Sequence, residues 1–104
     1  MAQKFIITAA GYLRLGEVNM HKDLLQAGDV CLGGGLYRFD YINARILLEG
    51  MSYDFGRPRW HLLEEDAVTL KVPAMYKGLS LVYEYHNHYD DDYVVAQHLK
   101  VEYV

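Results

Sequence analysis

The chain has 104 residues with ten Lys and Arg against fourteen Asp and Glu. Its net charge of −4 excludes a general nucleic-acid binder, whose footprint is strongly basic. One cysteine, Cys31, excludes an internal disulfide and a Cys-based zinc site and fits a reducing compartment.

Ten tyrosines within a 52% hydrophobic composition favour a packed core over disorder, and the length predicts one domain, 1–104. Positions 5–9, Phe-Ile-Ile-Thr-Ala, form an early strand with Lys4 at its mouth. That apolar stretch is too short for a signal peptide. No run nears the roughly eighteen apolar residues of a membrane span, so a soluble cytoplasmic protein is expected. Beyond Gly11, positions 12–18 alternate, with Tyr12, Arg14 and Gly16 set against Leu13, Leu15 and Glu17, which predicts a second strand. Asn19 is placed to cap a short helix over 20–27, with Leu24 and Leu25 on its buried side and Gly28 closing it. His21 then lies in the first turn, where the dipole disfavours a cationic imidazole and favours the neutral, basic form.

Val30-Cys31-Leu32 enters Gly33-Gly34-Gly35, and positions 36–40 alternate as a strand. Three glycines within a strand predict a bulge or another group passing close to the backbone. Asn43 marks a turn, so the apolar run Ile46-Leu47-Leu48 returns as the second arm of a hairpin, 44–49. Gly50 and Gly56 bracket a loop, and Pro58 follows where the first turn of a helix tolerates it. A strand, a glycine-bounded loop and a helix start make an anion site, because unpaired N–H groups and the positive dipole end face the loop. This one carries Ser52 and is followed by Arg57 and Arg59; an ordinary surface turn would use the same letters. Positions 59–70 then read as a helix, with Leu62, Leu63, Ala67 and Leu70 on one side, and Pro73 ends it. A strand at 79–85, a polar loop at 86–92 and a closing hairpin of 93–96 with 98–104 complete the chain. The expected fold is α+β: a single mixed sheet of about six strands with two helices packed on it.

The order of these motifs resembles the phosphohistidine phosphatase family, also called Janus/Ocnus. The resemblance rests on Lys4 before Phe5-Ile-Ile, on His21 at a helix start, on Cys31-Leu-Gly-Gly-Gly35 and on Gly50-Met-Ser-Tyr-Asp-Phe-Gly56 leading into a helix. It implies an enzyme that hydrolyses a P–N bond without metal or other cofactor. His21 would be the general base that activates water or relays the phosphoryl group. Ser52 and the backbone N–H groups of Met51, Tyr53 and Asp54, with Gly56 closing the loop, would hold the phosphate, and Lys4 would position His21 or neutralise charge. The substrate would be a phosphorylated protein or a small phosphoramidate, with no nucleic-acid or membrane partner. Leu36 stands where the family has an arginine, Asp54 where it has a small alanine, and the family's histidine after the loop falls on Trp60 without a gap or on His61 with one residue inserted.

Two other readings use the remaining residues. His86 and His88, two apart on a strand, share a face and could bind a metal with a carboxylate from Asp90, Asp91 or Asp92, although a hydrated acidic loop has the same composition. Tyr83, Tyr85, Tyr89, Tyr93 and Tyr103 crowd the C-terminal third, which suits a non-catalytic interaction or anion-binding protein, homodimeric through an edge strand. Cys31 beside Leu32 reads as a small core hydrophobe rather than a nucleophile.

Overall fold

The computed structural model of the chain describes residues 1–50, 69–87, 90–98 and 100–104. Strand β1, Ala2–Thr8, lies inside the sheet, and its run Phe5, Ile6 and Ile7 is fully buried on both faces. A turn closed by the Thr8 hydroxyl, which accepts the Tyr12 N–H at 3.1 Å, leads through Gly11 (φ +88°) into β2, Leu13–Val18, antiparallel to β1. Strand β3, Cys31–Asp40, pairs antiparallel with the other side of β1, and β4, Arg45–Glu49, returns beside it. Asp40 holds that hairpin by accepting from the Asn43 amide and from Arg45 Nε at 2.9 Å. The chain next contributes β5, Thr69–Val72, then a 3-10 turn Ala74–Tyr76, then β6, Ser80–Asn87, parallel to β4. Strand β7, Asp90–His98, runs back along β6, and β8, Lys100–Tyr103, leaves to pair in parallel with β5.

The result is a six-stranded mixed sheet in the order β2-β1-β3-β4-β6-β7 and a two-stranded sheet, β5-β8. The period of two sends alternate residues to opposite faces. Phe5, Ile7, Leu13, Tyr37, Ile46, Leu48, Leu81 and Tyr83 form one buried face, and Leu70 and Val72 of β5 join them in a single core. Lys71 fixes β5 against the first turn: its N–H donates to the Gly11 carbonyl at 2.8 Å and its ammonium lies 4.8 Å from the Tyr12 ring centroid. Ile6 and Gly34 belong to the other face, where a 3-10 turn, His21–Leu24, lies across Gly34 and Gly16.

This architecture corrects the α+β expectation. The described residues are built from strands and two short 3-10 turns, with no helix of seven or more residues among them. The helix expected over 20–27 is the four-residue turn His21–Leu24, whose N-cap is Met20 rather than Asn19. Leu25 is already extended (φ −75°, ψ 139°), and the Asp29 carboxylate draws the Gln26 N–H into a turn at 2.8 Å. So short a stretch gains too few intrahelical bonds to outweigh nucleation. The second helix, at 59–70, lies outside the described residues except for Thr69 and Leu70, which begin β5. The closing hairpin is also different: β7 pairs with β6, whereas β8 crosses to the second sheet. The polar loop at 86–92 is mostly strand, since β6 runs to Asn87 and Asn87 pairs with Asp90.

Candidate functional site

The half-buried Lys4 lies on β1 between Gly16 of β2 and Leu36 of β3. Its ammonium donates to the carbonyl of Asn19, the residue that leads into the 3-10 turn. That turn delivers His21 onto β3. The imidazole is 3% exposed and its Nε2 is 2.8 Å from the Gly35 carbonyl oxygen. A carbonyl can only accept, so Nε2 carries a proton, and in neutral imidazole the basic lone pair is then on Nδ1. This bond, rather than a helix dipole, sets the tautomer, because a four-residue 3-10 turn offers no helix of useful length.

The glycine triplet makes this approach feasible. A Cβ on Gly34 would stand 2.4 Å from the Phe5 carbonyl oxygen and 3.0 Å from His21 Cδ2. The imidazole therefore rests on a strand position that has no side chain. Gly33 has a φ of +143°, and the register there steps from Ile7↔Gly33 to Thr8↔Cys31, leaving Leu32 as the extra residue of a bulge. Both devices that three glycines predict, a bulge and a close approach, are present in consecutive residues.

Gly50 follows directly on β4. The last β3–β4 pair is Leu36↔Glu49, so one more step along that register sets Gly50 across from Gly35. The Gly50 N–H donates to the Glu84 carbonyl at 3.1 Å, which extends the β4–β6 ladder past Glu49. Of the residues expected to form a site, Lys4 bonds the entry to the turn that carries His21, and His21 packs on Gly34 and Gly35, beside Gly50 at the root of the loop. Met51, Ser52, Tyr53, Asp54 and Gly56 lie outside the described residues, as do Arg57, Arg59 and Trp60. Leu36, beside Lys4, is partly exposed and borders an open groove of about 290 Å³ that Arg38, Leu47 and Glu49 also line.

The segment bearing His21 is also fastened at its far end. Arg14 of β2 donates through Nε and Nη2 to the two Asp29 carboxylate oxygens at 3.0 and 3.3 Å. The Arg14 guanidinium, helped by the Gln26 N–H, holds the Asp29 carboxyl below its ordinary value of 3.8. A carboxyl whose pKa is lowered by folding adds stability above its unfolded pKa, and that stability is lost as pH falls through the folded value. Denaturation midpoints should therefore drop as pH is lowered from 3.8, and Asp29→Asn should lose part of that dependence. A pH series of urea midpoints on both proteins checks this, and parallel curves would contradict it.

The other candidates separate from this centre. The half-buried Cys31 has its Sγ 3.4 Å from the Gly33 carbonyl oxygen, a packing position at the bulge. His86 is the next-to-last residue of β6 and Asp90 opens β7, with His88 outside the described residues. Among the described residues no group of three or more His, Cys, Asp and Glu could hold a metal ion. No helix there is long and apolar enough to cross a membrane. Tyr83, expected among the interface tyrosines, is instead buried in the core, where its ring occupies the space above Gly50; nothing near either residue in the sequence signals that contact. In comparisons with known proteins the chain matches no family model, no curated protein and no solved structure.

Proposed function

We propose that the chain is a cytoplasmic hydrolase of phosphohistidine type, acting on a phosphorylated protein or a small phosphoramidate. The observation that supports this reading is the packing of His21 on Gly34 and Gly35, with Lys4 holding the entry to the turn that carries it, next to the root of the glycine-bounded loop at Gly50. In this reading the phosphoryl group is held by Ser52 and the N–H groups of the segment after Gly50, and Lys4 keeps the turn that carries His21 against the sheet. His21 takes a proton from water through Nδ1, its Nε2–H remaining on the Gly35 carbonyl. The water oxygen bonds to phosphorus, the P–N bond breaks, and its electron pair leaves with the departing nitrogen, which takes up the proton that His21 removed from water and so returns the imidazole to its neutral form. A phosphoramidate is labile, so positioning and charge stabilisation are most of what the protein must add. Hydrolysis of phosphoramidate should fall about a hundredfold in His21→Ala, the usual cost of removing a positioned general base. Ser52→Ala should weaken it less. Turnover indifferent to His21→Ala would overturn the reading.

A second reading follows from the 3% exposure of His21. A ring buried on Gly34 and bonded to Gly35 can serve as a clamp that packs the turn onto the sheet, in an anion-binding or interaction protein without catalysis. A second copy would then pair at β2 or β7, the outer strands of the main sheet. Under this reading His21→Ala lowers the melting temperature, and neither protein hydrolyses phosphoramidate.

A further inference from the structure

We infer that Tyr83 is a positioning residue for the chain where it leaves β4, acting through Gly50. Its consequence for substrate rests on the phosphatase reading; its effect on the backbone does not.

Tyr83 is 1% exposed, lies on the core face of β6 and pairs in register with Leu48 of β4. Its ring leans along β4 toward the strand's end. A Cβ on Gly50 would stand 1.9 Å from the Tyr83 Oη, 2.5 Å from Cζ and 2.8 Å from Cε2. The phenol therefore fills the position where a side chain of residue 50 would begin. On the neighbouring strand the Glu84 carbonyl accepts the Gly50 N–H at 3.1 Å. Consecutive residues of β6 thus hold Gly50 in two ways, Glu84 by its backbone and Tyr83 by its ring. Tyr83 and Gly50 are both buried, so the ring cannot give way cheaply. Glycine is required at 50 because tyrosine is at 83, and together they fix the backbone at the point of departure from β4. In the phosphatase reading that departure begins the phosphate-binding segment, and misplacing such a segment weakens both binding and turnover.

The experiment compares the natural chain with Tyr83→Phe and Gly50→Ala. The first removes only the hydroxyl that faces Gly50, and the second forces the ring away. The readouts are amide hydrogen exchange at Gly50 relative to Leu48, and KM and kcat for phosphoramidate. Tyr83→Phe should speed Gly50 exchange about tenfold against an unchanged Leu48, as expected for a local opening rather than global unfolding. It should raise KM about tenfold while leaving the pH profile of kcat, which belongs to His21, in place. Gly50→Ala should do the same or more. Unchanged exchange at Gly50 in Tyr83→Phe overturns the inference, whatever the enzyme does. Faster exchange at Gly50 in a chain with no turnover, natural sequence included, sustains the positioning role and removes the phosphatase reading.

Discussion

Gly34→Ala should destabilise the protein by about 3 kcal/mol, the upper end of overpacking costs, and should displace His21 as it does so. The added Cβ would come within 2.4 Å of the Phe5 carbonyl oxygen, closer than a Cβ is ever found to a heavy atom it is not bonded to. That oxygen belongs to β1, an inner strand whose Phe5, Ile6 and Ile7 are fully buried, so neither strand can move away without disturbing the core. The imidazole of His21, 3.0 Å from the same Cβ, can move, and it would be pushed off the Gly35 carbonyl. For a domain of this length the loss corresponds to a melting temperature lower by roughly 12–24 °C. Gly16→Ala is the matching control. Its Cβ would crowd Leu24 Cδ2, at 2.8 Å, the far end of a flexible side chain that can rotate away, and would meet Val18 Cγ1 at an ordinary 3.8 Å. Thermal unfolding of the two variants side by side checks the argument, and equal losses would contradict it. Phosphoramidate hydrolysis, measured well below both midpoints, should be lost in Gly34→Ala and kept in Gly16→Ala if His21 is the general base.

The parts of this fold that were legible beforehand are those with a local signal. Phe5-Ile6-Ile7 and Ile46-Leu47-Leu48 are apolar runs in the sequence and prove to be buried inner strands. The glycine triplet announced an irregular backbone or a close approach, and Leu32 and His21 supply one each. Illegible were features that depend on residues far apart. Nothing near Thr69–Val72 says that it will pair with Lys100–Tyr103, because a parallel pair needs a long crossover and leaves no turn signature. Asp90, Asp91 and Asp92 look like a solvated loop, yet they begin β7, where the alignment with β6 overrides the low strand propensity of aspartate. The stretch after Asn19 carries a plausible cap and two leucines, but the Asp29 carboxylate and the extended Leu25 end it after one 3-10 turn. At the site, the neighbourhood of Lys4 and His21 was available only through a resemblance of motif order. What joins them, the Asn19 carbonyl and the bare backbone of Gly34 and Gly35, involves no side-chain letter that sequence reading can weigh. Gly50 looked like a loop boundary, and its partner Tyr83 lies on another strand.

Leu70→Ala should cost a similar amount, about 3 kcal/mol, for a different reason and with a different effect on the site. Strand β5 has four residues, of which Leu70 and Val72 are fully buried against the main sheet while Thr69 and Lys71 face outward. A sheet of two short strands has little stability of its own and persists because its inner face is covered. Removing most of the Leu70 side chain takes away one of the two anchors and leaves a cavity over the core face. Because Val104 donates to the Val72 carbonyl at 2.9 Å and β8 pairs with β5 along its length, the C-terminus should loosen with β5 as one unit. Hydrogen exchange should thus rise at Val101, Tyr103 and Val104 in Leu70→Ala before it rises at Phe5 or Leu48. His21 and the turn that carries it pack over Gly34 on the opposite face of the six-stranded sheet. In the phosphatase reading, two variants of similar thermodynamic cost therefore separate fold from site: Gly34→Ala should remove hydrolysis from molecules that remain folded, and Leu70→Ala should leave kcat per folded molecule within about twofold, as expected for distant and independent positions. Equal loss of kcat in both would contradict the assignment of His21 as the general base.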